Sequence, residues 1–115
     1  MTNNFTDSAK FQITVGDIDY IAEFDVESLE ETVQRGALDE SQNYIFTRIP
    51  LILYGSLKKN QPNITPRAAA QLWDEMRNEG YTVTDFENTI SSEFGRLVSE
   101  RFFGSSETKK KIVKM

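Results

Sequence analysis

The stretch "KFQITVGDIDYIAEFDV", residues 10–26, limits what this chain can fold into more than any other part of it. Phe11, Ile13 and Val15 alternate with Lys10, Gln12 and Thr14; after Gly16-Asp17, Ile18, Tyr20, Ala22 and Phe24 alternate in the same sense. Strict alternation gives a strand one apolar and one polar face. A two-residue Gly-Asp loop suits a primed hairpin turn, because glycine accepts the positive φ it needs. That loop sets Val15 opposite Ile18, Ile13 opposite Tyr20 and Phe11 opposite Ala22. Asp19, Glu23 and Asp25 then fall on the polar face. A hairpin alone is at best marginally stable in water, so the rest of the chain must cover its apolar side.

The cover is helical. Asp25 is placed to cap "VESLEETVQR", in which Val26, Leu29 and Val33 share one face and Gly36 is a suitable C′ residue. "NYIFTRIPLILYGSLKKN", residues 43–60, carries Ile45, Ile49, Leu53 and Leu57 at helical spacing, with further apolar residues nearly all round, as expected of a buried central helix. Pro50 either starts or kinks it. Thr65 and Pro66 signal another helix start, Ala69, Leu72, Trp73 and Met76 give it one apolar stripe, and Gly80 stops it. In "TDFENTISSEFGRLVSERFFG", Thr84 and Glu87 fit a capping box and Gly104 a stop. Phe86, Ile90, Phe94, Leu97, Val98 and Phe102 share its broad apolar face. The expected fold is therefore α+β: an N-terminal two-stranded β-hairpin packed on a small bundle of about four α-helices. Residues 1–9 read as a flexible N-terminus, 10–104 as a single α+β domain and 105–115 as a basic flexible tail. Phe11, Ile13, Tyr20, Phe24, Leu29, Ile49, Leu53, Leu72, Trp73, Phe94 and Leu97 are expected in its core.

Composition narrows the chemistry. The 115 residues include no cysteine, which removes disulfides, thiolate metal sites and thiol nucleophiles, and no histidine, the commonest general base. Asp17, Asp19, Glu23 and Asp25 lack the glycine and terminal glutamate of a calcium loop and read as a polar strand face. Glu30 and Glu31 are adjacent on a helix, diverge by about 100° and read as surface rather than as an acid–base pair. No Gly-rich phosphate loop is present. We therefore expect no catalytic residues, no metal, no cofactor and no enzyme activity. The N-terminus shows no basic start followed by an apolar run, and the run Ile49–Tyr54 falls far short of the roughly 20 residues that span a bilayer. That pattern reads as a cytoplasmic protein without membrane contact. Charge is uneven: residues 1–104 hold 17 acidic and 9 basic side chains, whereas 105–115 hold four lysines and Glu107. An acidic body repels phosphate backbones, so nucleic acid is not an expected partner. Binding another protein is what these residues leave.

The order of the pieces resembles the tail assembly chaperones of long-tailed phages. "FQITVGDIDYIAEFDVESLEETVQRGAL" is similar to their opening hairpin in a G-x-x-x-Y-x-x-x-F frame (Gly16, Tyr20, Phe24) followed by a helix ending in glycine. "IPLILYGSLKKNQPNITPRAAAQLWDEM" is similar to their next element, an apolar helix and a Thr-capped one. The resemblance covers roughly residues 10–103 and implies a phage or prophage protein in the cytoplasm of a bacterial host. It implies binding of the tape measure protein, kept soluble during tail tube assembly, with the tail tube protein as a further candidate partner and a homo-oligomer as a candidate state. It also implies a longer frameshifted product, with which the lysine codons of "TKKKIVKM" are compatible. For the client surface the candidates are Leu51 and Tyr54, off the Ile49–Leu53–Leu57 line, and Phe103, off the apolar face of the last helix. The competing reading is a small helix-turn-helix regulator of DNA using residues 65–103. Asp85 and Glu87 would then face phosphates, which argues against it.

Overall fold

The computed structural model describes residues 8–103 and 114–115. The hairpin forms as the alternation requires. Strands β1 (Phe11–Val15) and β2 (Ile18–Ala22) are antiparallel, with Val15 opposite Ile18, Ile13 opposite Tyr20 and Phe11 opposite Ala22. Gly16 has φ +61° and Asp17 a negative φ, the φ pattern of a type II′ turn. The tip is tied down through main-chain groups that a two-stranded sheet leaves over. The Tyr81 hydroxyl accepts from the Thr14 N–H and donates to the Thr14 carbonyl, each at 3.1 Å, and the Gly16 N–H donates to Glu79 Oε2 at 2.8 Å.

Five α-helical segments follow: α1 (Val26–Gln34), α2 (Ile49–Lys58), α3 (Pro66–Asn78), α4 (Val83–Phe86) and α5 (Ser92–Val98). A π-helical turn, Tyr44–Arg48, leads into α2; another, Glu87–Ser91, joins α4 to α5, and a third, Ser99–Phe103, continues α5. The molecule is thus a hairpin and four helical rods, an α+β fold. Asp25 caps α1 by accepting from the Ser28 N–H, and Ser28 returns the bond to the Asp25 N–H. Thr65 caps α3, and Gly36 and Gly80 follow α1 and α3 at positive φ. The last rod starts two residues earlier than expected. Thr82 and Asp85, not Thr84 and Glu87, form the reciprocal capping box. Both pairs have the right spacing. The earlier start adds half a turn and sets Tyr81 and Phe86 at the N′ and N4 positions of a hydrophobic staple. Gly104, expected as the stop, and the basic tail over residues 105–113 lie outside the described residues.

Helix α2 is the hub, packed against α1, α3, β2 and the Glu87–Ser91 turn. Its seam with α1 is closed by small groups. A Cβ on Gly55 would lie 1.7 Å from Thr32 Oγ1, so only glycine fits there. Thr32 is fully buried and its hydroxyl donates to the Ser28 carbonyl at 2.7 Å, which removes the cost of burying it. Phe24 meets Phe94 with ring centres 5.7 Å apart, and Trp73 meets Phe86 at 5.5 Å. Of the expected core residues, nine are buried; Phe11 and Tyr20, near the open side of the sheet, are half-buried against it.

Pro50 explains the first π turn. It lies second in α2, inside a helical path that began at Tyr44, and it has no N–H to give. The wider turn, in which Arg48 N–H bonds the Asn43 carbonyl and Ile49 N–H the Tyr44 carbonyl, makes room for its ring. The extra residue rotates Ile45 off the Ile49–Leu53–Leu57 line and onto the surface. By the same geometry the Ser99–Phe103 turn takes Phe102 off the buried face of α5.

Candidate functional site

The three candidate client residues part company. Tyr54 is 2% exposed, and its hydroxyl donates to Glu31 Oε2 at 2.5 Å. Arg35 and Lys58 lie over its ring at 5.1 and 5.5 Å. Tyr54 is therefore a fixed part of the α1–α2 seam, not a surface contact: its ring is wide enough to reach across from α2 to α1. Glu31, expected at the surface, is the acceptor in that cluster, and the Tyr54 hydroxyl bond, followed by Arg35, holds its carboxyl below the ordinary value. Its neighbour Glu30 pairs with Arg101 at 2.9 Å.

Leu51 and Phe103 line two separate grooves on either side of the Tyr44–Arg48 turn. The first, about 330 Å³, runs between that turn, the start of α2 and the start of α3; Phe46, Pro50, Leu51, Pro66 and Ala70 line it, and Arg67 is its one charged lining residue. The second, about 370 Å³, lies between the chain from Leu38 to Ile52 and the outer side of α5, with Phe94 and Val98 in its floor and Phe103 at its edge. Gly95 keeps that floor low, since nothing stands within 4 Å of where its Cβ would be. Phe46 is 68% exposed and Phe103 63%, and Leu38 and Ile45 are also at the surface. A third opening, beside Tyr20 and the Gln61–Thr65 loop, is larger at about 450 Å³, but no large apolar side chain that lines it is exposed.

Sequence reasoning missed Phe46 and Leu38, because Phe46 reads as one more apolar residue of a central helix until Pro50 forces the wider turn. The proline was the available signal.

Three carboxylates are engaged by local partners. Glu23, expected on the polar face of the hairpin, is buried beyond the end of β2; it meets Lys59 Nζ at 2.8 Å, and its N–H donates to the Ser56 carbonyl at 2.7 Å. The Lys59 hydrogen bond holds its carboxyl below the ordinary value against the opposing effect of burial. Glu93 is buried too, held low chiefly by its hydrogen bond from Arg96, and Oε2 also accepts the Ala9 N–H at 2.8 Å. Ser8 and Ala9, expected in a flexible start, are docked by that contact. These acids are spent on local cations and main chain, and among the described residues no three His, Cys, Asp or Glu side chains gather as metal ligands. No helix of the described residues is long and apolar enough to cross a membrane. No known protein family matches the chain, and no curated protein or solved structure is detectably similar to it.

Proposed function

We propose that this protein is a tail assembly chaperone of a long-tailed phage, working in the cytoplasm of the bacterial host, that covers apolar helices of the tape measure protein until the tail tube forms around it. The observation that carries the reading is the pair of open apolar grooves flanking the Tyr44–Arg48 turn, with Phe46 and Phe103 exposed beside them. Large apolar side chains gathered at one place on a small protein mark an interaction surface more often than accident. The order of hairpin, glycine-terminated helix, apolar helix and Thr-capped helix, which resembles those chaperones, supports the tape measure protein as the client.

The physical work is simple. A very long chain with apolar helical faces aggregates unless they are covered. A helix laid between two helices packs its side-chain ridges into the groove between them. Each large apolar side chain so covered contributes about 1.5–3 kcal/mol, before the cost of ordering it. The net charge of −5 keeps the complex dispersed. No cofactor and no catalytic group enters the reading.

Co-expression with a candidate tape measure protein, a very long helical chain, tests it. The client should be soluble and co-purify with the wild type, and both should be lost with a Phe46→Ser, Phe103→Ser double variant. A client equally soluble without this protein would overturn the reading.

A further inference from the structure

The groove between α2 and α3 differs from its neighbour in charge. Of the arginines among the described residues, Arg35, Arg77, Arg96 and Arg101 are in ion pairs, and Arg48 donates to the Ala37 carbonyl while lying over the Tyr44 ring. Arg67 alone has no acceptor among the described residues. It is exposed, and it lines the groove. It also stands second in α3, whose first turn carries no acidic side chain, so its charge adds to the positive end of the helix dipole instead of offsetting it. In a protein with net charge −5, this mouth of the groove is a local positive spot with nothing in the described chain to neutralise it. At the other end, the Arg77 guanidinium lies 5.7 Å from the centre of the Phe46 ring and holds that ring over the groove.

We propose that this groove docks an amphipathic helix of the partner whose apolar ridge packs on Phe46, Pro50 and Leu51 and which carries a carboxylate beside that ridge to pair with Arg67. The inference rests on the reading of the protein as a holder of apolar helices, and it adds which groove holds the helix and what chemistry selects it. The net acidic charge disfavours a negatively charged helix over much of the body, and Arg67, the one charged residue lining this groove, favours one place for the carboxylate and with it one direction of the helix.

Two synthetic peptides of about 18 residues, long enough to be helical in the complex, provide the probe. Both carry leucines at i, i+3, i+4 and i+7; one has glutamates beside them and the other lysines. Each is titrated at low salt into the full chain, with backbone amide shifts as the readout. The glutamate peptide should bind on the order of tenfold tighter, shifting the amides of residues 46–49, 51 and 67–70. Arg67→Glu, an exposed change that favours the helix start, should leave the fold intact and reverse the preference. Leu51→Ser should weaken both peptides. An unchanged preference in Arg67→Glu, or shifts centred on Leu38, Gly95 and Phe103, overturns the inference and leaves the holder reading standing. Binding of neither peptide while the tape measure protein is still held in co-expression does the same. Loss of the co-expression result overturns the reading itself.

Discussion

Two stretches of one helical path, Tyr44–Arg48 and Ile52–Leu57, have nearly the same apolar character in sequence and opposite fates in the fold. From Ile52 to Leu57 every side chain is buried, and the approach of α1 is so close that position 55 admits no Cβ. From Tyr44 to Arg48 no side chain is fully buried, and Phe46 stands out between two grooves. The difference is made by Pro50, which forces a wider turn and rotates the residues before it away from the core. An apolar run is thus divided into a part that holds the fold and a part left over for something else.

The sharpest way to break that division is at the closed end. Gly55→Val should cost at least about 3 kcal/mol in urea unfolding, above the usual range for overpacking because the clash is with a side chain on a neighbouring helix. Thr32→Ala should restore part of the loss, since it removes Oγ1 and Cγ2 but leaves a Cβ 2.9 Å away. Full tolerance of Gly55→Val would mean that the seam is loose. Leu53→Ala, at a fully buried site on the same helix, should cost about 2–5 kcal/mol.

Much of this was legible in advance, for identifiable reasons. The hairpin register followed from period-two alternation around a two-residue turn, and the ends of α1 and α3 from Asp25, Gly36, Thr65 and Gly80. What stayed hidden were features decided by tertiary space. Glu23 continues the polar alternation of the hairpin, yet Lys59 and Ser56, more than thirty residues away, draw it inside. Tyr54 was legible as an apolar-run residue but not as the bridge to Glu31. Of the candidate client residues, Leu51 and Phe103 line grooves and Tyr54 does not, because a helical wheel cannot register a π turn or a neighbouring helix.

Three carboxylates held by local partners add a pH dependence to the fold. The carboxyls of Glu23, Glu31 and Glu93 are all held below their ordinary value in the folded state. Their contribution is therefore fully present above the unfolded value of about 4.3 and is lost as pH falls through the lower folded values. Thermal unfolding should vary little between about pH 7 and 5 and drop below about pH 4. Glu93→Gln should cost about 1–2 kcal/mol at neutral pH and flatten that acid limb. A variant that keeps the full acid drop would show that Glu93 does not contribute to it.

The smallest stability effect belongs to the open part. Phe46→Ser should change unfolding by no more than about 0.5 kcal/mol, as surface substitutions do. A loss comparable to Leu53→Ala would make Phe46 a core residue and erase the distinction between the two stretches.

Amide hydrogen exchange with and without the co-purified client tests the account most directly, because it reports where a partner sits on the intact protein. Slowed exchange should be confined to the Tyr44–Arg48 turn, the first turn of α2 and the groove residues of α3, while the buried Ile52–Leu57 segment stays unchanged. Protection centred on the hairpin tip around Gly16, with none over residues 44–51, would contradict it.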